Sequence, residues 1–228
     1  DGDAWMYGTS DPVCSRSVGG GITKPKIAPG DASETGPEGA GWSIGEIAAL
    51  SVKAARGAGL SWGVAAEAGR AVRILSEYGL PGAEVLARDL VGPEPGRTLE
   101  VGCRIAGPAD VTAVGSEPGP LTPLLLVPFL RATLAGEKGW MVRAPDCGEL
   151  FKVCAGGVRL FARDISGKSG LQISESTADP TMATLATRVA RVDPEALRLL
   201  NDLAARIYAP PSELSRARGA GAGELDND

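Results

Sequence analysis

The chain has 228 residues and no histidine, with 23 lysines and arginines against 28 aspartates and glutamates for a net charge of −5. The missing imidazole excludes Ser-His-Asp and Cys-His relays, histidine-ligated zinc or iron, and a histidine pH switch. An acidic balance without a basic stripe argues against nucleic acid as a partner, and 4% aromatics are too few for a base-stacking platform.

The longest apolar run, residues 121–130, contains prolines and is too short to cross a bilayer, so no membrane partner is expected. No basic segment followed by an apolar one opens the chain, and a cytoplasmic location is the expectation. Cys14, Cys103, Cys147 and Cys154 form no CxxC pair and read as reduced, structural thiols. The Gly19-Gly20-Gly21 run lacks the strand and the Lys-Ser or Lys-Thr of a phosphate loop, so no nucleotide motif is present.

In residues 1–41, Gly and Pro fill 13 positions and Val, Ile, Leu and Phe only four. Such a segment buries too little apolar surface to offset the entropy of ordering it, and is expected to be a disordered extension. Residues 42–228 are expected to form a single α+β domain. Ser43 and Glu46 make a capping box ahead of Ile44, Ile47, Ala48, Ala54 and Ala55, and Gly57 and Gly59 stop that helix. Ser61 caps a second helix whose apolar stripe is Val64, Ala68, Ala71, Val72 and Leu75, with Gly79 closing it. The pair predicts an antiparallel helical hairpin. A third short helix is expected over 81–90.

Strands are expected next. Leu99, Val101, Cys103 and Ile105 alternate with Glu100, Gly102 and Arg104, which predicts a strand over 98–105 with one wet face. Residues 124–127 read as a buried strand. Residues 148–154 and 158–163 flank the turn Ala155-Gly156-Gly157 and predict a hairpin. Residues 171–174 and 185–192 extend the sheet. Asp193-Pro194-Glu195 is a strong helix start, Leu197, Leu200, Ala204 and Ile207 give its stripe, and Pro210-Pro211 stops it. Residues 212–218 add a turn or two before the tail. The expected fold is therefore α+β: an N-terminal helical hairpin packed on a mainly antiparallel sheet, with a C-terminal helix and a glycine-rich tail.

Two regions carry candidate chemistry. Lys53 and Arg56, spaced i, i+3, share a face near a helix end, and Ser61 opens a helix N-terminus that favours anions. Glu67 and Arg70 repeat the spacing on the second helix. Together they can hold a carboxylate or phosphate; the plainer reading is a glycine-capped turn with surface ion pairs. At the other end, Asp226 and Asp228 place hard oxygen ligands on one side of an extended strand, a candidate magnesium or calcium site. The plainer reading there is a frayed acidic end. Cys103, Cys147 and Ser215 are possible nucleophiles, but none has a histidine to activate it.

The stretch from Ser43-Ile-Gly-Glu-Ile through Lys53-Ala-Ala-Arg-Gly-Ala-Gly-Leu-Ser-Trp-Gly-Val-Ala-Ala-Glu-Ala-Gly-Arg, and the ending from Tyr208-Ala-Pro-Pro-Ser-Glu-Leu-Ser-Arg to Asp228, resemble an uncharacterised bacterial family catalogued as domain of unknown function number 3726. The resemblance spans 42–228, and the extension 1–41 departs from it. It implies no activity. It does imply that Lys53, Arg56, Trp62, Glu67, Arg70, Ser215, Arg216, Asp226 and Asp228 matter, and that an ordered tail lies near the helical hairpin. Two functions stay open. One is a bacterial small-molecule-binding or accessory protein for a metabolic enzyme, its partner an anionic molecule or a protein. The other is a histidine-independent enzyme using carboxylates, with or without a divalent metal, for hydrolase, lyase or isomerase chemistry. No other cofactor is implied.

Overall fold

Backbone amides at helix starts need acceptors, and this chain supplies them at each place the local sequence predicts. The computed structural model describes residues 41–107, 110–162, 167–178 and 187–208. All but Gly41 of the expected extension 1–41 lies outside these residues, as does everything from 209 onward. Strand β1 (Trp42–Ser43) leads into α1 (Ile44–Gly57). Glu46 N donates to Ser43 Oγ at 3.2 Å and Ser43 N donates back to Glu46 Oε2 at 3.1 Å, completing the capping box. The Ser43 hydroxyl, donating to Glu46 Oε2 at 2.7 Å, and then the Ser43 N–H hold the Glu46 carboxyl below its ordinary pKa.

Gly59, at φ 95°, turns the chain back where a side chain would strain. Ser61 then caps α2 (Trp62–Glu77) by accepting from Val64 N at 3.3 Å. The two helices pack closely because small residues line the seam. A Cβ on Gly69 would lie 2.9 Å from the Ala48 carbonyl oxygen, and Ala65, Ala68 and Ala71 are fully buried. The predicted hairpin is therefore present. Helix α3 (Gly82–Val91) follows, close to the expected span.

Residues 98–105 are not a strand. They lie in α4 (Arg97–Ala106), where Thr98, Leu99, Val101, Gly102 and Ile105 are buried at helical spacing. Glu100 and Arg104, spaced i, i+4, are exposed. The bare backbone at Gly102 receives the Phe129 ring, which a β-carbon would displace. Residues 124–127 are not a strand either. Pro123–Leu126 forms a 3-10 turn that runs into α5 (Val127–Ala132), with prolines in the first turn of each. Proline lacks a ladder donor but suits a helix start.

The main sheet contains β2 (Lys138–Ala144), β3 (Gly148–Cys154), β4 (Gly157–Leu160) and β5 (Gln172–Thr177), in the antiparallel order β4-β3-β2-β5. The 155–157 turn joins β3 to β4 as predicted. The central strand β2 was not predicted, and the strand expected at 171–174 runs over 172–177. Of the strand expected at 185–192, only β6 (Val189–Ala190) is seen among the described residues, and it pairs with β1. Asp193 caps α6 (Pro194–Ala205), accepting from Glu195 N at 3.0 Å and Ala196 N at 3.1 Å.

The architecture is α+β. Helices cover most of the hairpin: α6 lies along α1 and touches α3, while α4 and α5 lie against α2. The sheet meets the helices through α5 and through the 3-10 turn Val111–Ser116. Phe129, Leu125, Leu126, Leu150 and Phe151 are fully buried in the shared core. Among the described residues no helix is long and apolar enough to cross a membrane.

Candidate functional site

The end of α1, the start of α2 and the end of α6 come together around one groove. Gly57 makes this possible. Its missing side chain lets α1 approach the Leu203 carbonyl of α6 so closely that a β-carbon could not fit. That contact sets Arg206 and Ile207, just past α6, beside Lys53 and Arg56 of α1. The groove has a volume of about 490 Å³, and its walls are Val52, Lys53, Arg56, Gly57, Trp62, Arg206 and Ile207.

Arg56 organises the groove. One guanidinium nitrogen donates to the Leu60 carbonyl, and the guanidinium carbon lies 4.3 Å from the centre of the Trp62 ring. Stacking of this kind holds a cation in place while leaving its outer donors open. Trp62 is 72% exposed, so the rest of its ring faces solvent. Among the described residues, three cations line the groove and no carboxylate does. Among the described residues, none of Lys53, Arg56 and Arg206 has an ion-pair partner.

The structure divides the residues that the sequence singled out. Lys53, Arg56 and Trp62 share the groove. Ser61 spends its hydroxyl on capping α2. Glu67 and Arg70 pair with each other at 2.5 Å, and Arg70 lies 5.6 Å from the Phe129 ring, toward α5. Ser215, Arg216, Asp226 and Asp228 lie outside the described residues. Among the described residues no group of three histidine, cysteine, aspartate or glutamate side chains could hold a metal ion. Cys103 lies near Glu67 and Arg70, and burial first, then the Glu67 charge, push its thiol pKa up, away from a nucleophilic thiolate.

Sequence reasoning missed two things. Arg206 and Ile207 enter the groove from the far end of the chain, and only the docking of α6 brings them there. Asp89 of α3 is the other. It is 8% exposed, and its Oδ1 accepts from Thr98 Oγ1 at 2.6 Å and from Thr122 Oγ1 at 3.1 Å. Thr122 N donates to Thr98 Oγ1 at 3.0 Å. Burial pushes the Asp89 carboxyl above its ordinary pKa, against hydrogen bonds from Thr98, Thr122 and the Gly96 backbone that pull it down. Its Oδ2 has no partner among the described residues.

Residues 42–109 match the model of a family described as a protein of unknown function (DUF3726). The match covers β1 and α1 through α4, and so includes Lys53, Arg56, Trp62 and Asp89. The resemblance at the chain's ending lies beyond it. No curated protein and no solved structure matches the chain.

Proposed function

We propose that this chain binds a small organic anion with a planar, apolar body, in the groove between α1, α2 and α6. One observation carries the reading: Lys53, Arg56 and Arg206 converge on a space that also offers an exposed tryptophan face and, among the described residues, no carboxylate. A carboxylate or phosphate on the ligand takes hydrogen bonds from the cations, and charge-assisted bonds are the stronger kind. The ligand's flat body stacks on Trp62, between the side chains of Val52 and Ile207. The volume suits a molecule of metabolite size.

The test is a thermal-shift titration of the full chain with benzoate and phenyl phosphate, beside neutral benzyl alcohol. Both anions should raise the melting temperature in a concentration-dependent and salt-sensitive way, because they bind the native state. Arg206→Met and Trp62→Ala should each weaken the effect about tenfold, since each removes a main contact of the ligand. Equal shifts from benzyl alcohol, or unchanged responses in both variants, would refute the reading.

A further inference from the structure

The groove of α1, α2 and α6 carries more charge than one monovalent anion balances. Lys53, Arg56 and Arg206 put three positive charges on its walls. The acids of these three helices are placed elsewhere. Glu46 is held in the capping box at the opposite end of α1, and Glu195 lies at the opposite end of α6. Glu67 pairs with Arg70 at 2.5 Å, Glu77 with Arg73 at 3.4 Å, and Asp202 with Arg198 at 3.1 Å. A volume of about 490 Å³ equals that of a sphere of about 5 Å radius, shorter than the ~8 Å over which physiological salt screens a charge. A ligand inside therefore feels all three cations, whichever of them it touches.

We propose that the ligand of this groove is a dianion: a planar, apolar body that carries either a phosphate monoester or two carboxylates. The proposal rests on the reading of the groove as an anion site and adds the charge. Two features select it. A single carboxylate leaves two of the three cations without a counter-charge. A second negative charge is attracted by all three and, among the described residues, meets no acid on the lining. The cations are also held differently. Arg56 is fixed, since it donates to the Leu60 carbonyl and stacks at 4.3 Å on Trp62. Lys53 and Arg206 are exposed and pair with no described carboxylate. Their long, flexible stems let them follow a second charge that Arg56 does not meet.

Isothermal titration of the full chain with two matched pairs tests the proposal. One pair is phenyl phosphate and methyl phenyl phosphate; the other is terephthalate and its monomethyl ester. At about pH 8, above the second phosphate ionisation, the members of each pair differ by one methyl group and one charge. The dianion should bind about tenfold more tightly than its monoanionic partner at low salt. A preference in the phosphate pair alone names a phosphate monoester, and one in the carboxylate pair alone names a dicarboxylate. Raising the salt from about 20 mM to about 500 mM should remove most of the preference. Lys53 and Arg206 are exposed, so the double variant Lys53→Met/Arg206→Met should fold. With one cation left, its preference should drop to about twofold, because each lost cation costs the dianion twice the attraction it costs the monoanion. Equal affinities within both pairs would overturn the proposal, as would a preference that survives both high salt and the double variant. If equal anions still bind better than benzyl alcohol, only the assignment of charge falls. If they bind no better than benzyl alcohol, the anion reading falls with it.

Discussion

The groove at the end of α1 and the centre around Asp89 are built by opposite means. The groove is made of long, exposed side chains at helix ends, and water screens their charges. Exposed charges of this kind contribute little to stability, so they are free to be arranged for a ligand. The centre around Asp89 is made of short, buried groups, each fixed by the next: Thr122 by Thr98, and both by Asp89. A change in the groove should alter binding and leave the fold intact. A change around Asp89 should alter the fold itself.

The sharpest challenge to that contrast is Gly57, the one groove residue whose role is in the backbone. Gly57→Ala places a methyl group inside the Leu203 carbonyl, so α1 and α6 must separate. Stability should fall by about 3 kcal/mol, at the upper end of overpacking effects, and anion binding should fall with it. A thermal melt checks the first and the benzoate titration the second; an unchanged melt would mean the helices can yield. On the buried side, Thr98→Val keeps the volume but removes a donor to Asp89 and the acceptor for Thr122 N. The expected loss is about 2 kcal/mol by denaturant unfolding, with anion binding unaffected. If stability holds, the Asp89 centre is not the structural unit its hydrogen bonds imply.

The smallest effect is a pH dependence. Because burial raises the Asp89 pKa in the folded state, the folded protein keeps that proton to higher pH than the unfolded chain does. Stability from this group is therefore greatest at low pH. It declines as pH rises from the ordinary value of 3.8 through the raised one, and is level above that. Comparing wild-type melts with those of Asp89→Asn removes the common contributions of Arg88, Glu94, Arg97 and Glu117. Wild type should lose ground to the variant as pH rises through the window. A constant difference would mean the carboxyl is not so poorly solvated.

What the sequence revealed depended on how local the physics was. The capping box at Ser43 and Glu46, the glycine turn at Gly59 and the Asp193-Pro194 start of α6 are short-range hydrogen bonds and backbone preferences, and all were legible. The fate of 98–105 was not. Leu99, Val101, Cys103 and Ile105 alternate as a strand would, while Thr98, Val101, Gly102 and Ile105 line up as a helix does. The two periods overlap in so short a segment. Contact between Gly102 and Phe129, distant in sequence, favours the helix. Strand β2 was missed because it is central, paired on both sides and buried at most of its positions, with a bulge at Val142 and Arg143. Lys53, Arg56 and Trp62 stood out as polar or aromatic residues at helix ends. Asp89 looked like any acid on an amphipathic helix, since its partners come from two other segments.

The close approach of Gly57 to Leu203 also bears on kinetics. Main chain meets main chain there, and no rotamer change can narrow or widen the gap. Arg206 and Ile207 are thus held opposite Lys53 and Trp62 whether or not a ligand is present. Association then requires no rearrangement of the helices and should be governed by encounter and charge attraction. Differences between good and poor ligands should appear in how long each stays bound.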